Sequence, residues 1–166
     1  MSGSVFLIGM PGCGKSSLGR AAAGMAGCAF VDVDEGIERE HGPIPAIFER
    51  GGEALFRTME TKALRQACEA GAAIVSCGGG IVLRQENLEL MRAAGRVVFI
   101  DRPLEAILSD IRYTERPLLK GGEAALRALA AARLPLYRAC AGETVDNSGA
   151  FEQARDAIVR IWEGKA

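Results

Sequence analysis

Residues 4–17 read SVFLIGMPGCGKSS: a short apolar run, a glycine-rich turn and a Lys-Ser pair. Gly9, Gly14, Lys15 and Ser16 occupy the fixed positions of the phosphate-binding pattern G-x-x-x-x-G-K-[ST]. A glycine-rich turn that binds nothing is the alternative, but an apolar strand pattern precedes this turn and a helical pattern follows it. The stretch therefore predicts a loop that binds the phosphates of a nucleoside triphosphate.

Each residue type in this loop suits contact with phosphate. Glycine lacks a Cβ, so backbone N–H groups around Gly12 and Gly14 can approach phosphate oxygens closely. The helix that follows directs its partly positive N-terminus at the same anion. Lys15 adds a charge at the β- and γ-phosphates, and the Ser16 hydroxyl can ligate Mg²⁺. The predicted nucleotide-binding residues of the loop are Gly12, Cys13, Gly14, Lys15, Ser16 and Ser17.

Length and composition predict one ordinary globular domain. The chain has 166 residues, of which 49% are hydrophobic and 25% charged. Its net charge of −1 gives no basic excess for a nucleic-acid partner, and no apolar run is long enough to span a membrane. Five widely spaced cysteines without a C-x-x-C pair indicate reduced thiols in a cytoplasm. We expect a cytoplasmic monomer that acts on a small molecule and binds neither nucleic acid nor membrane.

Short apolar segments alternate with helical segments along the chain. Strands are predicted at residues 5–8, 30–34, 72–76, 96–101 and 143–146. This alternation predicts an α/β fold with a five-stranded parallel sheet, helices on both faces, and a ligand at the carboxyl ends of the strands.

Two of the intervening segments bear on function. Residues 35–71 are predicted to be helical, with breaks at Gly42-Pro43, Pro45 and Gly51-Gly52. Within them Leu55, Met59, Ala63 and Ala67 recur at four-residue spacing, which predicts the buried stripe of a helix. Residues 112–122 are polar and contain Pro117 and Gly121-Gly122, which predicts a mobile loop. A later helix over residues 123–141 is expected to be interrupted at Pro135.

Two carboxylates end the second predicted strand. Asp32 and Asp34 are two residues apart, so in an extended backbone both side chains would point into the same cleft. Mg²⁺ beside one carboxylate and a substrate hydroxyl beside the other would relieve their repulsion. The alternative is a solvated strand end at which Asp34 caps a helix.

Gly78, Gly79 and Gly80 and two arginines complete the candidate site. Three consecutive glycines cost backbone entropy and favour close approach of a ligand to bare N–H groups, although a loose loop is the alternative. Arg57 precedes Glu60 by three residues, a spacing at which the acid can orient the guanidinium. Arg57 and Arg133 could each hold a substrate carboxylate in two parallel hydrogen bonds, although either arginine alone would be read as a surface residue.

These motifs together resemble those of the shikimate kinases. The shared segments are GMPGCGKSSLGR (9–20), DVD (32–34), FRxxE (56–60), GGG (78–80), RPLL (116–119) and RLPLYxxxA (133–141). They occur in the family's order across essentially the whole chain. The resemblance implies a single P-loop kinase domain over residues 1–166, with a substrate-binding region at about 33–60 and a lid at about 110–122. The implied activity is ATP:shikimate 3-phosphotransferase, a step toward chorismate and the aromatic amino acids.

The resemblance also implies a role for each matching residue. Ser16 and Asp32 would hold Mg²⁺, and Lys15, Asp34 and Arg116 would be catalytic. Arg116 is matched to the lid arginine that reaches ATP, and Arg112 to the lid arginine that stacks on adenine. Backbone atoms of residues 147–148 are the expected further contacts of adenine. The implied shikimate-binding residues are Asp34, Arg57, Gly78, Gly79, Gly80 and Arg133.

Two other functions compete with this assignment. A related kinase could act on gluconate or on a nucleoside monophosphate. Gluconate also has a carboxylate, so the arginines do not exclude it, whereas the triple glycine and the R-x-P-x-Y segment favour shikimate. A nucleotide-binding regulator without catalysis is the second competitor. It would be expected to lose catalytic or substrate positions, and here all of them are present.

Overall fold

The computed structural model describes residues 3–114 and 121–165, with the backbone alone at 111–114. Its centre is a five-stranded, all-parallel sheet with the strand order β2-β3-β1-β4-β5. The α/β fold predicted from the sequence is therefore confirmed. The strands are β1 (Ser4–Ile8), β2 (Ala29–Asp32), β3 (Ala73–Ser76), β4 (Gly95–Asp101) and β5 (Glu143–Asp146).

Helices connect the strands and cover the sheet. Within the described ranges, no helix is both long enough and apolar enough to cross a membrane. A short 3₁₀ turn, Ile81–Leu83, lies between β3 and α4. The helices are α1 (Lys15–Ala26), α2 (Val33–His41), α3 (Ile44–Glu69), α4 (Gln85–Ala94), α5 (Leu104–Thr114), α6 (Gly122–Cys140) and α7 (Phe151–Trp162).

Two of the three interior strands, β1 and β3, are buried along their whole length. Strands covered on both faces need apolar side chains at every position, which explains the unbroken runs at VFLI and AIV. In the parallel register Asp32 of β2 pairs with Ser76 of β3, and Asp101 of β4 pairs with Asp146 of β5. The sheet therefore brings polar side chains together at its carboxyl edge.

The predicted strand over residues 30–34 is too long, because β2 ends at Asp32 and helix α2 begins at Val33. The Asp32 carboxylate accepts a hydrogen bond of 3.1 Å from the N–H of Glu35 and so caps α2. Asp34 lies in the first turn of this helix. The two carboxylates face one cleft because of the strand-to-helix turn, rather than the strand alternation that the sequence suggested.

The buried stripe of α3 was also predicted one residue out of phase. The backbone leaves helical geometry at Gly52, where φ is +67°, so the predicted break there is confirmed. Beyond it Phe56, Glu60, Leu64 and Ala67 are buried. Of the predicted stripe only Ala67 is fully buried, whereas Leu55, Met59 and Ala63 are half-buried against the core. The buried face contains the carboxylate of Glu60, so a pattern of apolar residues alone does not identify it.

Two predictions about the C-terminal third are wrong. Helix α5 continues to Thr114 and α6 begins at Gly122, so residues 112–114 and 122 belong to helices and not to a loop. Residues 115–120 lie outside the described ranges. Helix α6 also runs through Pro135 to Cys140, because Leu126, Ala130 and Tyr137 keep it buried against the core on both sides of the proline.

Helix α1 lies very close to the sheet because residue 19 is glycine. A Cβ on Gly19 would lie 2.8 Å from a ring carbon of Phe30 and 3.0 Å from a methyl group of Leu7. Gly24, on the same helix, has open space where its Cβ would be. Both glycines lie in α1, but only Gly19 is packed so closely that a side chain would clash.

We expect Gly19→Ala and Gly24→Ala to change the free energy of unfolding in opposite directions. Gly19→Ala should destabilise the fold by about 1–3 kcal/mol because of overpacking. Gly24→Ala should stabilise it by up to about 1 kcal/mol through helix propensity. Urea denaturation followed by circular dichroism measures both. Equal stabilisation by the two substitutions would contradict the close packing of α1 on the sheet.

Candidate active site

A cleft of about 740 Å³ lies at the carboxyl edge of the sheet, over the phosphate-binding loop. Ser76 and Cys77 line it between β3 and the glycines, and Arg102 lines it after β4. Among the described site residues, Cys13, Arg57, Gly80 and Arg133 do not line it, but Arg133 lies beside Gly79 and Arg57 beside Gly80. The predicted site residues that line the cleft are Gly12, Gly14, Lys15, Ser16, Ser17, Asp32, Asp34, Gly78 and Gly79.

The phosphate-binding loop joins β1 to α1 through glycines with positive φ. Gly9 has φ +150°, and a Cβ there would lie 2.8 Å from the Cys13 sulfur and from the carbonyl oxygen of Ile100. The Lys15 ammonium donates to the carbonyl oxygens of Gly9 (2.8 Å) and Met10 (3.0 Å). Only 8% of Lys15 is exposed, so the loop's own carbonyls satisfy this cation.

Ser16, Asp32 and Ser76 form an oxygen cluster beside the loop. The Ser16 hydroxyl donates to Asp32 Oδ2 at 2.5 Å and lies 3.0 Å from the Ser76 hydroxyl oxygen. The register of β2 on β3 aligns Asp32 with Ser76, and the first turn of α1 brings Ser16 above them. The cluster contains only hard oxygen donors, the type that Mg²⁺ prefers.

Asp34 is the most perturbed acid in the cleft. Its Oδ1 is buried and has no hydrogen-bond partner among the described residues. Burial, with the Glu60 and Asp32 carboxylates nearby, raises the pKa of Asp34 to about 6. A Cβ on Gly78 would lie 2.9 Å from Asp34 Oδ1 and 2.8 Å from Glu60 Oε1. Both acids thus depend on the missing side chain at residue 78.

Arg57 lies behind the glycines, where its guanidinium fills the space that a Cβ on Gly80 would need. Its Nη1 donates to Glu60 Oε2 at 2.9 Å, as the three-residue spacing predicted. The exposed fraction of the side chain is 12% for Arg57 and zero for Glu60. Burial raises the pKa of Glu60, and the Arg57 guanidinium partly offsets that rise. The ion pair therefore fixes Arg57 in a largely dry position.

Arg133 and Tyr137, one turn apart on α6, contact the middle glycine. The position of a Cβ on Gly79 lies 3.3 Å from Arg133 Nη1 and 3.2 Å from a ring carbon of Pro11. The Tyr137 hydroxyl donates to the carbonyl oxygen of Gly79 at 2.6 Å. Tyr137 belongs to the motif at residues 133–141, but the sequence alone indicated no role for it.

Sequence reasoning missed two residues that hold the phosphate-binding loop. Arg102, directly after β4, donates to the carbonyl oxygen of Gly12 at 3.1 Å and pairs with Asp110 at 2.7 Å. The Asn147 side chain donates to the carbonyl oxygen of Cys13 at 2.8 Å. Both residues directly follow strands of the sheet at its carboxyl edge, which is the signal that could have identified them.

The backbone N–H groups of residues 147 and 148, which were expected to contact adenine, make hydrogen bonds within the chain. The N–H of Asn147 donates to the carbonyl oxygen of Asp101, and the N–H of Ser148 donates to the Asp146 carboxylate. These N–H groups are therefore already engaged within the chain. The Arg112 side chain and all of Arg116 lie outside the described residues, so their roles stay predictions.

Comparison with known proteins identifies a family for this chain. A family model described as Shikimate kinase matches residues 11–162. The shikimate kinase of Clostridium beijerinckii is 43% identical over 148 residues, which cover 89% of this chain and 87% of that protein.

Solved structures agree as well. Shikimate kinase from Acinetobacter baumannii in complex with shikimate has a TM-score of 0.88 and 36% identity, covering 99% of this chain and 94% of that one. A gluconokinase from Sinorhizobium meliloti 1021 shares the fold, with a TM-score of 0.64 and 18% identity over 98% of this chain and 94% of its own. The resemblance found in the sequence motifs is thereby confirmed, and the chain belongs to the shikimate kinase family.

Proposed function

We propose that the cleft transfers the γ-phosphoryl group of ATP to the 3-hydroxyl of shikimate, giving shikimate 3-phosphate and ADP. The observation that supports this reaction most directly is the arrangement of charges around residues 78–80. Gly78 contacts Asp34, Gly79 contacts Arg133, and Gly80 contacts Arg57. A base and two carboxylate-binding cations thus surround one short segment beside the phosphate-binding loop.

Lys15 and the loop bind the nucleotide. The carbonyl oxygens of Gly9 and Met10 already hold the Lys15 ammonium within the loop. The β- and γ-phosphates therefore have to replace only these neutral acceptors of the ammonium. A phosphate oxygen with full negative charge is the stronger partner for an ammonium. Backbone N–H groups at the N-terminus of α1 add donors without any rearrangement of side chains.

Ser16 and Asp32 are the residues that would hold Mg²⁺. Their oxygens meet beside the loop, as a cation shared with phosphate oxygens and water requires. No group of three or more His, Cys, Asp or Glu side chains able to hold a metal occurs in residues 3–114 and 121–165. The pair of oxygens from Ser16 and Asp32 suits Mg²⁺, which keeps several waters and binds through one or two protein oxygens. The ion would supply charge neutralisation at the phosphates.

Asp34 orients the attacking hydroxyl and accepts its proton. The hydroxyl oxygen forms a bond to the γ-phosphorus while the bond to the β–γ bridging oxygen breaks, and ADP leaves with that electron pair. The proton passes to the carboxylate of Asp34, whose pKa of about 6 makes it a stronger base than an ordinary aspartate. Because Asp34 Oδ1 is buried without a partner in the described residues, a substrate hydroxyl would supply its missing hydrogen bond.

Arg57 and Arg133 bind the shikimate carboxylate. A guanidinium presents two parallel N–H groups to a carboxylate, and Glu60 holds Arg57 in the required orientation. A substrate-binding region at about 33–60 and a lid at about 110–122 with Arg112 and Arg116 complete the proposed enzyme. The cytoplasmic location, the monomeric state and the absence of nucleic-acid and membrane partners stay predictions.

A coupled assay of ADP release tests the substrate. Shikimate, gluconate and nucleoside monophosphates are compared at equal concentration with ATP and Mg²⁺. We expect shikimate to give a kcat/KM at least about 100-fold above the other acceptors, because its carboxylate and hydroxyls pair with buried polar groups that other acceptors leave unpaired. Faster release with gluconate or a nucleotide would overturn the assignment, and no release with any acceptor would favour the regulator.

Arg57→Lys and Arg133→Lys test the carboxylate site. Each substitution keeps the charge but loses the planar fork, so we expect the KM for shikimate to rise about tenfold or more. The KM for ATP should stay within about twofold. Arg65→Lys is the matched control, because Arg65 lies on α3 as Arg57 does but is an exposed partner of Glu86. Equal changes in both KM values would indicate a structural role for these arginines.

Asp34→Asn should remove most turnover and yet stabilise the fold. The folded-state pKa of about 6 lies above the ordinary value of 3.8, so the charged carboxylate costs stability above pH 6. This cost is lost as the pH falls from 6 toward 3.8. We therefore expect Asn to add about 1–3 kcal/mol at pH 7.5 and progressively less below pH 6. Urea denaturation in EDTA measures the gain, and a loss of stability at pH 7.5 would contradict it.

A further inference from the structure

Two side chains outside the cleft hold the glycine loop, which we define as residues 78–80. The Tyr137 hydroxyl on α6 donates to the carbonyl oxygen of Gly79 at 2.6 Å. Asn87 Nδ2 on α4 donates at 3.0 Å to the carbonyl oxygen of Ile81, which directly follows the loop. Both side chains are fully buried. A segment of three glycines thus has its conformation set by neighbours rather than by its own sequence.

The glycine loop keeps two of its donors free for a ligand. Gly78 accepts a hydrogen bond from the N–H of Ile81 at 3.1 Å, which closes a turn. Within the described part of the chain, the N–H groups of Gly79 and Gly80 make no hydrogen bond. Backbone donors left free beside a cleft are the usual means by which a protein recognises oxygen atoms of a ligand. The direction of these two N–H groups therefore matters for binding.

We propose that Tyr137 is a positioning residue for shikimate, because its hydroxyl fixes the peptide between Gly79 and Gly80. A trans peptide has its C=O and N–H on opposite edges, and the described chain contains no cis peptide. Holding the C=O of Gly79 toward α6 therefore turns the N–H of Gly80 away from α6. On that side Gly80 faces Arg57, and there we place a substrate oxygen, so that Tyr137 orients the donor without contact with substrate. The inference rests on the proposed function.

Tyr137 is held rigidly enough for this task. Its ring is fully buried and stacks on Phe99 of β4, with 5.6 Å between the ring centroids and 22° between the planes. Arg133 lies one turn earlier on α6, against the same Gly79. One turn of α6 thus positions both the Arg133 guanidinium and, through Tyr137, the N–H of Gly80. Burial raises the pKa of Tyr137 to about 12, so the phenol remains a donor throughout the pH range of an assay.

Tyr137→Phe tests the proposal, since it removes the hydroxyl and keeps the ring stacked on Phe99. We expect the KM for shikimate to rise about five- to tenfold, with the KM for ATP unchanged within about twofold. Ser4→Ala is the matched control. It removes another buried hydroxyl, which accepts from the N–H of Ala73 at the opposite end of the sheet. The control should lower the thermal midpoint without moving either KM.

Dissociation constants of the three monodeoxy analogues of shikimate separate positioning from general loosening. They are measured by calorimetry, because the 3-deoxy analogue lacks the acceptor hydroxyl and has no KM. If Tyr137 orients one N–H, its loss should weaken the contribution of one substrate hydroxyl, and the effect should vanish with the analogue that lacks this hydroxyl. A uniform loss with all three analogues, or equal changes in both KM values, would mean a structural role and overturn the proposal. An unchanged KM for shikimate in Tyr137→Phe would also overturn it. Failure of the wild-type enzyme to use shikimate would instead refute the proposed function.

Discussion

The absence of side chains at residues 78–80 is the constraint on which the candidate site depends. Each glycine touches a different charged group: the Asp34 and Glu60 carboxylates at Gly78, the Arg133 guanidinium at Gly79 and the Arg57 guanidinium at Gly80. A Cβ at Gly78 or Gly80 would lie closer to these groups than side chains ever approach. The close approach therefore gathers two acids and two cations around a segment that is only three residues long.

Gathering these charges costs stability, and the fold offsets the cost unequally. Glu60 is fully buried but pairs with Arg57, and burying a paired charge costs far less than burying an isolated one. Asp34 Oδ1 has no such partner among the described residues, and its raised pKa is the measure of that deficit. A group kept in this state is poised to gain a hydrogen bond from substrate. Glu60 Oε1 is also buried without a hydrogen-bond partner in the described residues, so the two acids beside Gly78 share this deficit.

The sequence predicted the order of the strands and helices well, because apolar strand runs and glycine or proline breaks are local signals. It failed where the outcome depends on tertiary contacts. The stripe of α3 was misplaced because buried Glu60 interrupts the apolar pattern, and the ion pair with Arg57 lowers the cost of burying this carboxylate. Asp34 was assigned to a strand because its neighbours favour an extended backbone. The cap that Asp32 makes on the N–H of Glu35 starts helix α2 there instead.

Tyr137 and Arg102 were missed for a related reason: each acts through a backbone carbonyl that lies far away in sequence. Tyr137 bonds the carbonyl of Gly79, and Arg102 bonds the carbonyl of Gly12 in the phosphate-binding loop. These two loops pack side by side, since Pro11 lies 3.2 Å from the position that a Cβ on Gly79 would occupy. Packed groups in van der Waals contact cannot move independently. We therefore expect a shift of the phosphate-binding loop to displace the glycine loop, so that adjoining segments would hold the phosphate donor and the acceptor hydroxyl.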